Sequence, residues 1–220
     1  MSEINKYIEH TLLKQDASKE DFIKLFEESK RYNFLGVCIN PAYVKTANEY
    51  LKDTDIKIVT VIGFPLGANK TDVKAYETTR AIEDGADEID MVINVTAIKN
   101  SDYEYVLNDI KTVKKSCQSK PLKVILETDL LTKEEIKQAC EICIEAGADF
   151  VKTSTGFVKN GIGAKAEDVK LMYETVSPHG LKVKASGGIR DKETALEMIK
   201  AGASRLGTSS GVKIVKSGNL

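Results

Sequence analysis

Along this chain, short apolar runs rich in Val and Ile take turns with longer stretches that carry helix caps and mixed polarity. The runs at 7–11, 34–39, 57–63, 88–94, 122–127, 150–155, 181–186 and 205–208 read as strands, and several are nearly continuous rather than alternating. Continuity of that kind suits parallel strands covered on both faces. Between them lie predicted helices at 19–31, 41–51, 71–83, 102–116, 167–176 and 192–200, and one more follows Thr132. Ser18 with Asp21 three residues on is an acidic capping box, Thr132 is a second N-cap, and Pro41 suits a first helical position. Eight strands joined by helical crossovers predict an α/β chain, a (β/α)8 TIM barrel in a single domain over 1–220, rather than an open doubly wound sheet. Losing the first strand would turn the expectation toward the open sheet.

A repeat supports the closed form. Gly85-Ala86, Gly147-Ala148 and Gly202-Ala203 each stand between a helix end and a strand, and Asn33 holds the same place in a weaker copy. Gly and Asn suit the left-handed position that ends a helix, so each strand is entered in the same register. Five residues on come Asp90, Lys152, Gly207 and Cys38. These positions are therefore expected at equivalent heights on different strands.

Composition narrows the partners. With 42% hydrophobic and 30% charged residues the chain is ordinary for a soluble protein, and a net charge of -1 gives no reason to expect nucleic acid or an acidic membrane. The opening residues lack the basic and apolar regions of a signal peptide, so the expected location is cytoplasmic. Four cysteines fit a reducing compartment. Cys140 and Cys143 form a C-x-x-C inside a helical stretch and read as two small apolar side chains. With only His10 and His179, an all-histidine zinc triad is impossible, which weakens zinc-dependent alternatives; no cofactor is expected.

Four polar residues fall toward the C-terminal ends of predicted strands, where barrels of this kind build their sites: Asp90, Glu127, Lys152 and Lys184. A lysine inside an apolar strand needs a partner, a shifted pKa or a chemical task. Two on neighbouring strands repel each other. At about 4 Å and an effective dielectric near 20 the repulsion is roughly 4 kcal/mol, which would bring one amine from about 10.4 to near 7. A free amine beside a carboxylate suits carbinolamine and Schiff-base chemistry on a carbonyl substrate. An ion network that merely braces the barrel, or lysines turned to solvent, would leave the same spacing. After the seventh and eighth strands, Ser186-Gly187-Gly188 and Gly207-Thr208-Ser209-Ser210-Gly211 offer backbone N–H groups and hydroxyls to a phosphate.

The stretches Phe150-Val151-Lys152-Thr153-Ser154-Thr155-Gly156-Phe157, Val183-Lys184-Ala185-Ser186-Gly187-Gly188-Ile189-Arg190, Glu88-Ile89-Asp90-Met91-Val92-Ile93-Asn94 and Gly207-Thr208-Ser209-Ser210 together closely resemble the deoxyribose-phosphate aldolases. The likeness runs nearly end to end, through His10-Thr11-Leu12-Leu13 and Val61-Ile62-Gly63-Phe64-Pro65-Leu66-Gly67. The resemblance implies a metal-free class I aldolase, cytoplasmic and homodimeric. Such an enzyme cleaves 2-deoxy-D-ribose 5-phosphate to acetaldehyde and D-glyceraldehyde 3-phosphate, so its partners are a small-molecule sugar phosphate and an aldehyde. It further implies Lys152 as the Schiff-base lysine, Lys184 as the lysine that tunes it, and Asp90 as proton donor and acceptor. Gly187, Gly188, Gly207, Ser209 and Ser210 would hold the phosphate, Gly156 would close over the substrate, and Glu9, Cys38, Thr153 and Thr155 would line the pocket. The chain departs from the resemblance at Glu9, often Asp there, and at Phe157, a lysine in some members. It departs again at 216–220, which lack a terminal tyrosine. The competing readings are a Schiff-base aldolase for another sugar phosphate and a non-catalytic barrel that binds a phosphorylated metabolite.

Overall fold

A computed structural model describes residues 4–217. The strands are β1 (Ile8–Leu12), β2 (Gly36–Ile39), β3 (Lys57–Ile62), β4 (Glu88–Val92), β5 (Leu122–Ile125), β6 (Phe150–Lys152), β7 (Lys182–Ser186) and β8 (Ala203–Thr208). All eight pair in parallel with their sequence neighbours, and β1 pairs β8, so the sheet closes into a barrel. Around it run α1 (Lys19–Arg31), α2 (Val44–Leu51), α3 (Thr71–Glu83), α4 (Val95–Lys99), α5 (Tyr103–Ser116), α6 (Lys133–Glu145), α7 (Ala166–Val176), α8 (Lys192–Lys200) and α9 (Gly211–Lys216). The barrel expected from the eight runs is the one observed, and the first strand is in place.

Local chemistry explains the register. Asn33, Gly85, Gly147 and Gly202 all have positive φ (50°, 109°, 74° and 116°), so each left-handed turn launches its strand as the repeat predicts. The Ser18–Asp21 capping box is made and opens α1, and Thr132 caps α6 as expected, with Glu135 completing a second box there. The main apolar cluster lies between strands and helices, and includes Phe26, Phe34, Met91, Val124, Val151 and Leu206. A second, much smaller cluster of Leu13, Cys38, Val59 and Val61 is separate from it. Much of the remaining barrel interior is ionic, built from Glu9, Asp90, Lys123 and Lys184.

Several boundaries differ from the sequence reading. β4, β5 and β6 stop at Val92, Ile125 and Lys152, short of 94, 127 and 155. Thr153 explains part of this. Its hydroxyl donates to the Ser186 carbonyl (2.9 Å) and accepts from the Ser186 N–H (3.0 Å), so a side chain takes over from the ladder. Pro41–Tyr43 is a 3-10 turn, and the helix proper begins at Val44. The short helices α4 and α9 were not expected. Of the C-terminal stretch read as lacking a tyrosine, 218–220 lie outside the described residues.

Candidate active site

Lys152 and Lys184 are direct register partners on β6 and β7. Their side chains converge on Asp90 from β4. Asp90 Oδ2 accepts from Lys152 Nζ at 2.8 Å and from Lys184 Nζ at 2.6 Å. Sharing one oxygen, the two ammonium nitrogens are no further apart than those two bonds laid end to end. Lys184 also donates to Glu9 on β1. Gly207, Glu9's register partner on β8, is small for a reason, since a Cβ there would stand 3.1 Å from Lys184 Cε. Asp90, Lys184 and Glu9 are wholly buried, and Lys152 nearly so. The lysines point inward, not to solvent.

A third lysine was missed by the sequence reading. Lys123 on β5 is completely buried and donates to Asp90 Oδ1 at 3.0 Å. It also stands 2.5 Å from Glu88 and 3.7 Å from Glu9. Arg205 completes the lower part of the network, 3.6 Å from Glu9 and 3.7 Å from Glu88. In sequence Lys123 looks like Lys57 and Lys182, which open or nearly open their strands and are exposed. Only its register opposite Asp90 sets it apart.

These acids change the electrostatics expected from two lysines alone. For Lys184, burial works against the charged form, but the carboxylates of Asp90 and Glu9 outweigh it and hold its pKa above the ordinary lysine value. Lys123 is raised likewise, burial being overcome by Asp90 and Glu9. Burial would raise Asp90, yet Lys123, Lys152 and Lys184 together hold it well below the usual carboxylate range. Glu9 is lowered too, against burial, by Lys123 and Lys184. The downward push expected for one amine of the pair is thus reversed at Lys184, because two carboxylates face it. Lys184 is a fixed cation beside Lys152.

Above this network lies a cavity of about 320 Å³, lined by Lys152, Thr155, Gly156, Phe157, Gly187, Gly188, Gly207 and Ser209, among others. It thus joins the strand lysine to the glycine loops. Arg190, at the end of the loop after the seventh strand, lines it as well, as do Lys14 and the Thr11–Leu13 stretch, to which the sequence assigns no pocket role. Ser210 does not line it, and its N–H is bound to the Thr208 hydroxyl at 2.9 Å. Thr153 is occupied by Ser186, and Cys38 and Glu9 lie deeper. Burial raises the Cys38 thiol, the direction of a wall residue rather than a nucleophile. Donor atoms of Glu9, Cys38 and Asp90 lie within 4.8 Å of one another. Both carboxylates are already taken by ammonium groups, however, so a cation would have to displace them.

Comparison with known proteins agrees with this geometry. A profile of the DeoC/LacD family of aldolases matches residues 6–217. A deoxyribose-phosphate aldolase of Thermococcus kodakarensis is 58% identical over 218 residues, covering 97% of this chain and 96% of the relative. One from Clostridium botulinum is 56% identical over 213 residues, covering 97% and 99%. Among solved structures, the tetrameric deoxyribose phosphate aldolase of Aeropyrum pernix superposes with a TM-score of 0.90 at 34% identity, covering 97% of this chain and 90% of that one. The chain belongs to the DeoC/LacD aldolase family, among its deoxyribose-phosphate aldolases.

Proposed function

We propose that this aldolase works through a Schiff base on Lys152 and that its substrate is 2-deoxy-D-ribose 5-phosphate. The observation that carries the reading is one buried carboxylate, Asp90, shared between a lysine that reaches the cavity and a lysine sealed beneath it. Lys152, once deprotonated, adds through Nζ to C1 of the open-chain sugar. The carbinolamine loses water and becomes an iminium, which draws electrons from the C2–C3 bond as the C3 hydroxyl gives up its proton. Glyceraldehyde 3-phosphate leaves, and the enamine left on Lys152 is protonated at C2. Hydrolysis then releases acetaldehyde and restores the amine.

Asp90 lies within hydrogen-bond reach of Lys152 and is the nearest group able to take and return protons there. Lys184, held in its charged form by Asp90 and Glu9, stands as a fixed cation beside the reacting amine. The phosphate would rest on the N–H groups of the Gly187-Gly188 turn and on Ser209. Arg190 at the cavity rim would supply the cationic contact that Phe157 cannot. Ser210, which does not line the cavity, would take part only indirectly.

Sodium borohydride with acetaldehyde tests the chemistry. The expected result is a reduced two-carbon adduct on Lys152, found by peptide mass spectrometry. Lys152→Ala should fold normally and release no glyceraldehyde 3-phosphate from deoxyribose 5-phosphate in a coupled assay. Normal turnover in that variant would end the assignment. A chelator should leave activity intact. Among the described residues no helix is long and apolar enough to cross a membrane, in keeping with the cytoplasmic location we infer. Sedimentation would separate the homodimer implied by the resemblance from the tetramer of the Aeropyrum pernix relative.

A further inference from the structure

Glu127, the fourth polar residue at a strand end, has no part in the chemistry above, yet its geometry is unusual. It sits two residues past β5 with φ 60° and ψ 61°, a left-handed conformation that a non-glycine residue adopts rarely and at some cost. The backbone on either side is held to the β6 end of the barrel: Leu126 N donates to the Lys152 carbonyl (2.9 Å), and Thr128 N donates to the Thr153 carbonyl (3.0 Å). Between those two bonds, the left-handed residue sends its carboxylate to Thr155. One oxygen accepts the Thr155 N–H at 3.0 Å, and the other accepts the Thr155 hydroxyl. That hydroxyl in turn accepts the Phe157 N–H at 3.1 Å. The hydroxyl proton of Thr155 is therefore committed to Glu127 and is not free for a substrate.

What this clamp holds is a partition. Thr155 and Phe157 line the 320 Å³ cavity above Lys152, and the same two residues line a second, more apolar cavity of about 420 Å³ on their other side. Val92, Val95 and Leu130 wall the second space, and no polar side chain other than Glu127 and the hydroxyls of Thr155 and Thr96 lines it. Phe157 meets Phe64 edge-on, with ring centroids 5.1 Å apart. With a void behind it and Gly156 at positive φ in its middle, the segment has room to sag away from the substrate unless something fastens it. Burial raises the Glu127 carboxyl, while the two bonds from Thr155 oppose that shift and favour the ionised acceptor.

We propose that Glu127 is a positioning residue: its left-handed backbone aims a buried carboxylate at Thr155, and this clamp fixes the Thr155–Phe157 partition against which the phosphorylated substrate is held. The role of the partition rests on the aldolase reading above, but the clamp itself does not. Removing the clamp should weaken binding of the long substrate without touching amine chemistry on a small aldehyde. In Glu127→Ala we expect KM for deoxyribose 5-phosphate to rise about tenfold with kcat within about threefold of wild type. Borohydride trapping of acetaldehyde on Lys152 should be unchanged. Glu127→Gln keeps the shape but must set an amide N–H₂ against one of the two Thr155 donors, so its KM should fall between wild type and Ala. Should the alanine variant fail to fold, Gln alone decides the matter through its KM.

Hydrogen exchange provides a readout independent of the reaction. The peptide spanning Thr155–Phe157 should lose protection in both variants while peptides of β4 and β7 keep theirs. Unchanged protection with unchanged KM overturns the proposal. So does a parallel fall in trapping, kcat and binding, which would make Glu127 a general support of the barrel. If wild type traps no acetaldehyde while the segment still loosens in the variants, the clamp stands and the Schiff-base reading fails.

Discussion

Neutralising Asp90 is the sharpest test of the buried network. Around the barrel axis four cations, Lys123, Lys152, Lys184 and Arg205, face three carboxylates, Glu9, Glu88 and Asp90, leaving an excess of one positive charge. Asp90 accepts from three of the four cations. In Asp90→Asn one carboxylate oxygen becomes an N–H₂ donor, so either Lys123 or the Lys152–Lys184 pair meets a donor instead of an acceptor, and the positive excess grows to two. Breaking a buried ion pair from one side costs about 3–5 kcal/mol. At about 2–4 °C per kcal/mol for a domain of this size, Tm should fall by about 6–20 °C. Turnover at a temperature where the variant is folded should fall by about 10²–10⁴ if Asp90 moves protons.

A second substitution separates charge balance from proton transfer. Asp90→Asn with Lys123→Met removes the surplus cation and brings the positive excess down from two to the wild-type value of one. Thermal unfolding followed by circular dichroism should show part of the lost Tm returning, while the coupled assay shows no return of turnover. Two results would refute the reasoning. Asp90→Asn melting within about 2 °C of wild type would mean the network contributes nothing to the fold. Recovery of turnover in the double variant would mean that Asp90 serves as ballast and not as an acid–base.

Other outcomes follow from the same coordinates. The folded-state shifts set a pH window. Glu9 and Asp90 are lowered, so their contribution is present above the ordinary carboxylate pKa of about 4 and is lost as pH falls below it. Lys123 and Lys184 are raised, so theirs is present below about 10.4 and is lost as pH climbs past it. Tm measured against pH should therefore be flat between those edges, with the acid edge softened in Glu9→Gln. Away from the site, Lys74 and Asp109 form a fully buried pair at 2.6 Å, with Lys74 also donating to the Val92 carbonyl. Lys74→Met alone should cost about 3–5 kcal/mol in urea unfolding, whereas Lys74→Met with Asp109→Leu should recover most of it. Burial pushes Cys117 and Cys140 up to about 12 and Cys143 well above the ordinary thiol value. A thiol reagent at pH 8 should therefore find no fast cysteine in the native chain and four in denaturant.

The parts of the structure legible beforehand are those where one residue type answers one local demand. Asn33, Gly85, Gly147 and Gly202 mark strand entries because only the left-handed turn accounts for them, and the caps Ser18 and Thr132 mark helix starts for a like reason. Lys152 and Lys184 stand out because each interrupts an apolar run. Lys123 did not, since a lysine near the start of a strand is equally at home in water, as Lys57 and Lys182 are. Whether such a residue turns in or out depends on register across the barrel, a nonlocal property. The turn at Glu127 was hidden similarly: nothing in Leu126-Glu127-Thr128 announces a left-handed glutamate, because its conformation is imposed by bonds to β6. Ser210 belongs to the phosphate loop by motif, yet its N–H is bound to the Thr208 hydroxyl and it does not line the cavity.

The division of labour in this barrel follows from where its apolar atoms are. Most of the buried hydrophobic side chains pack between strands and helices, and the separate inner cluster holds only Leu13, Cys38, Val59 and Val61. An all-apolar interior would be the more stable filling, since buried ion pairs seldom repay their desolvation against well-packed hydrophobic residues. The outer shell carries the fold and so permits a costly ionic interior. That interior does what an apolar one cannot: it keeps a lysine out of bulk water while fixing a carboxylate and a second cation against it. Because the acids come from β1 and β4 and the lysines from β5, β6 and β7, no single strand holds the constellation. Closure of the sheet brings β1 within reach of β7, so the Lys184–Glu9 contact exists only in the completed barrel. Folding and assembly of the site are in that sense one event.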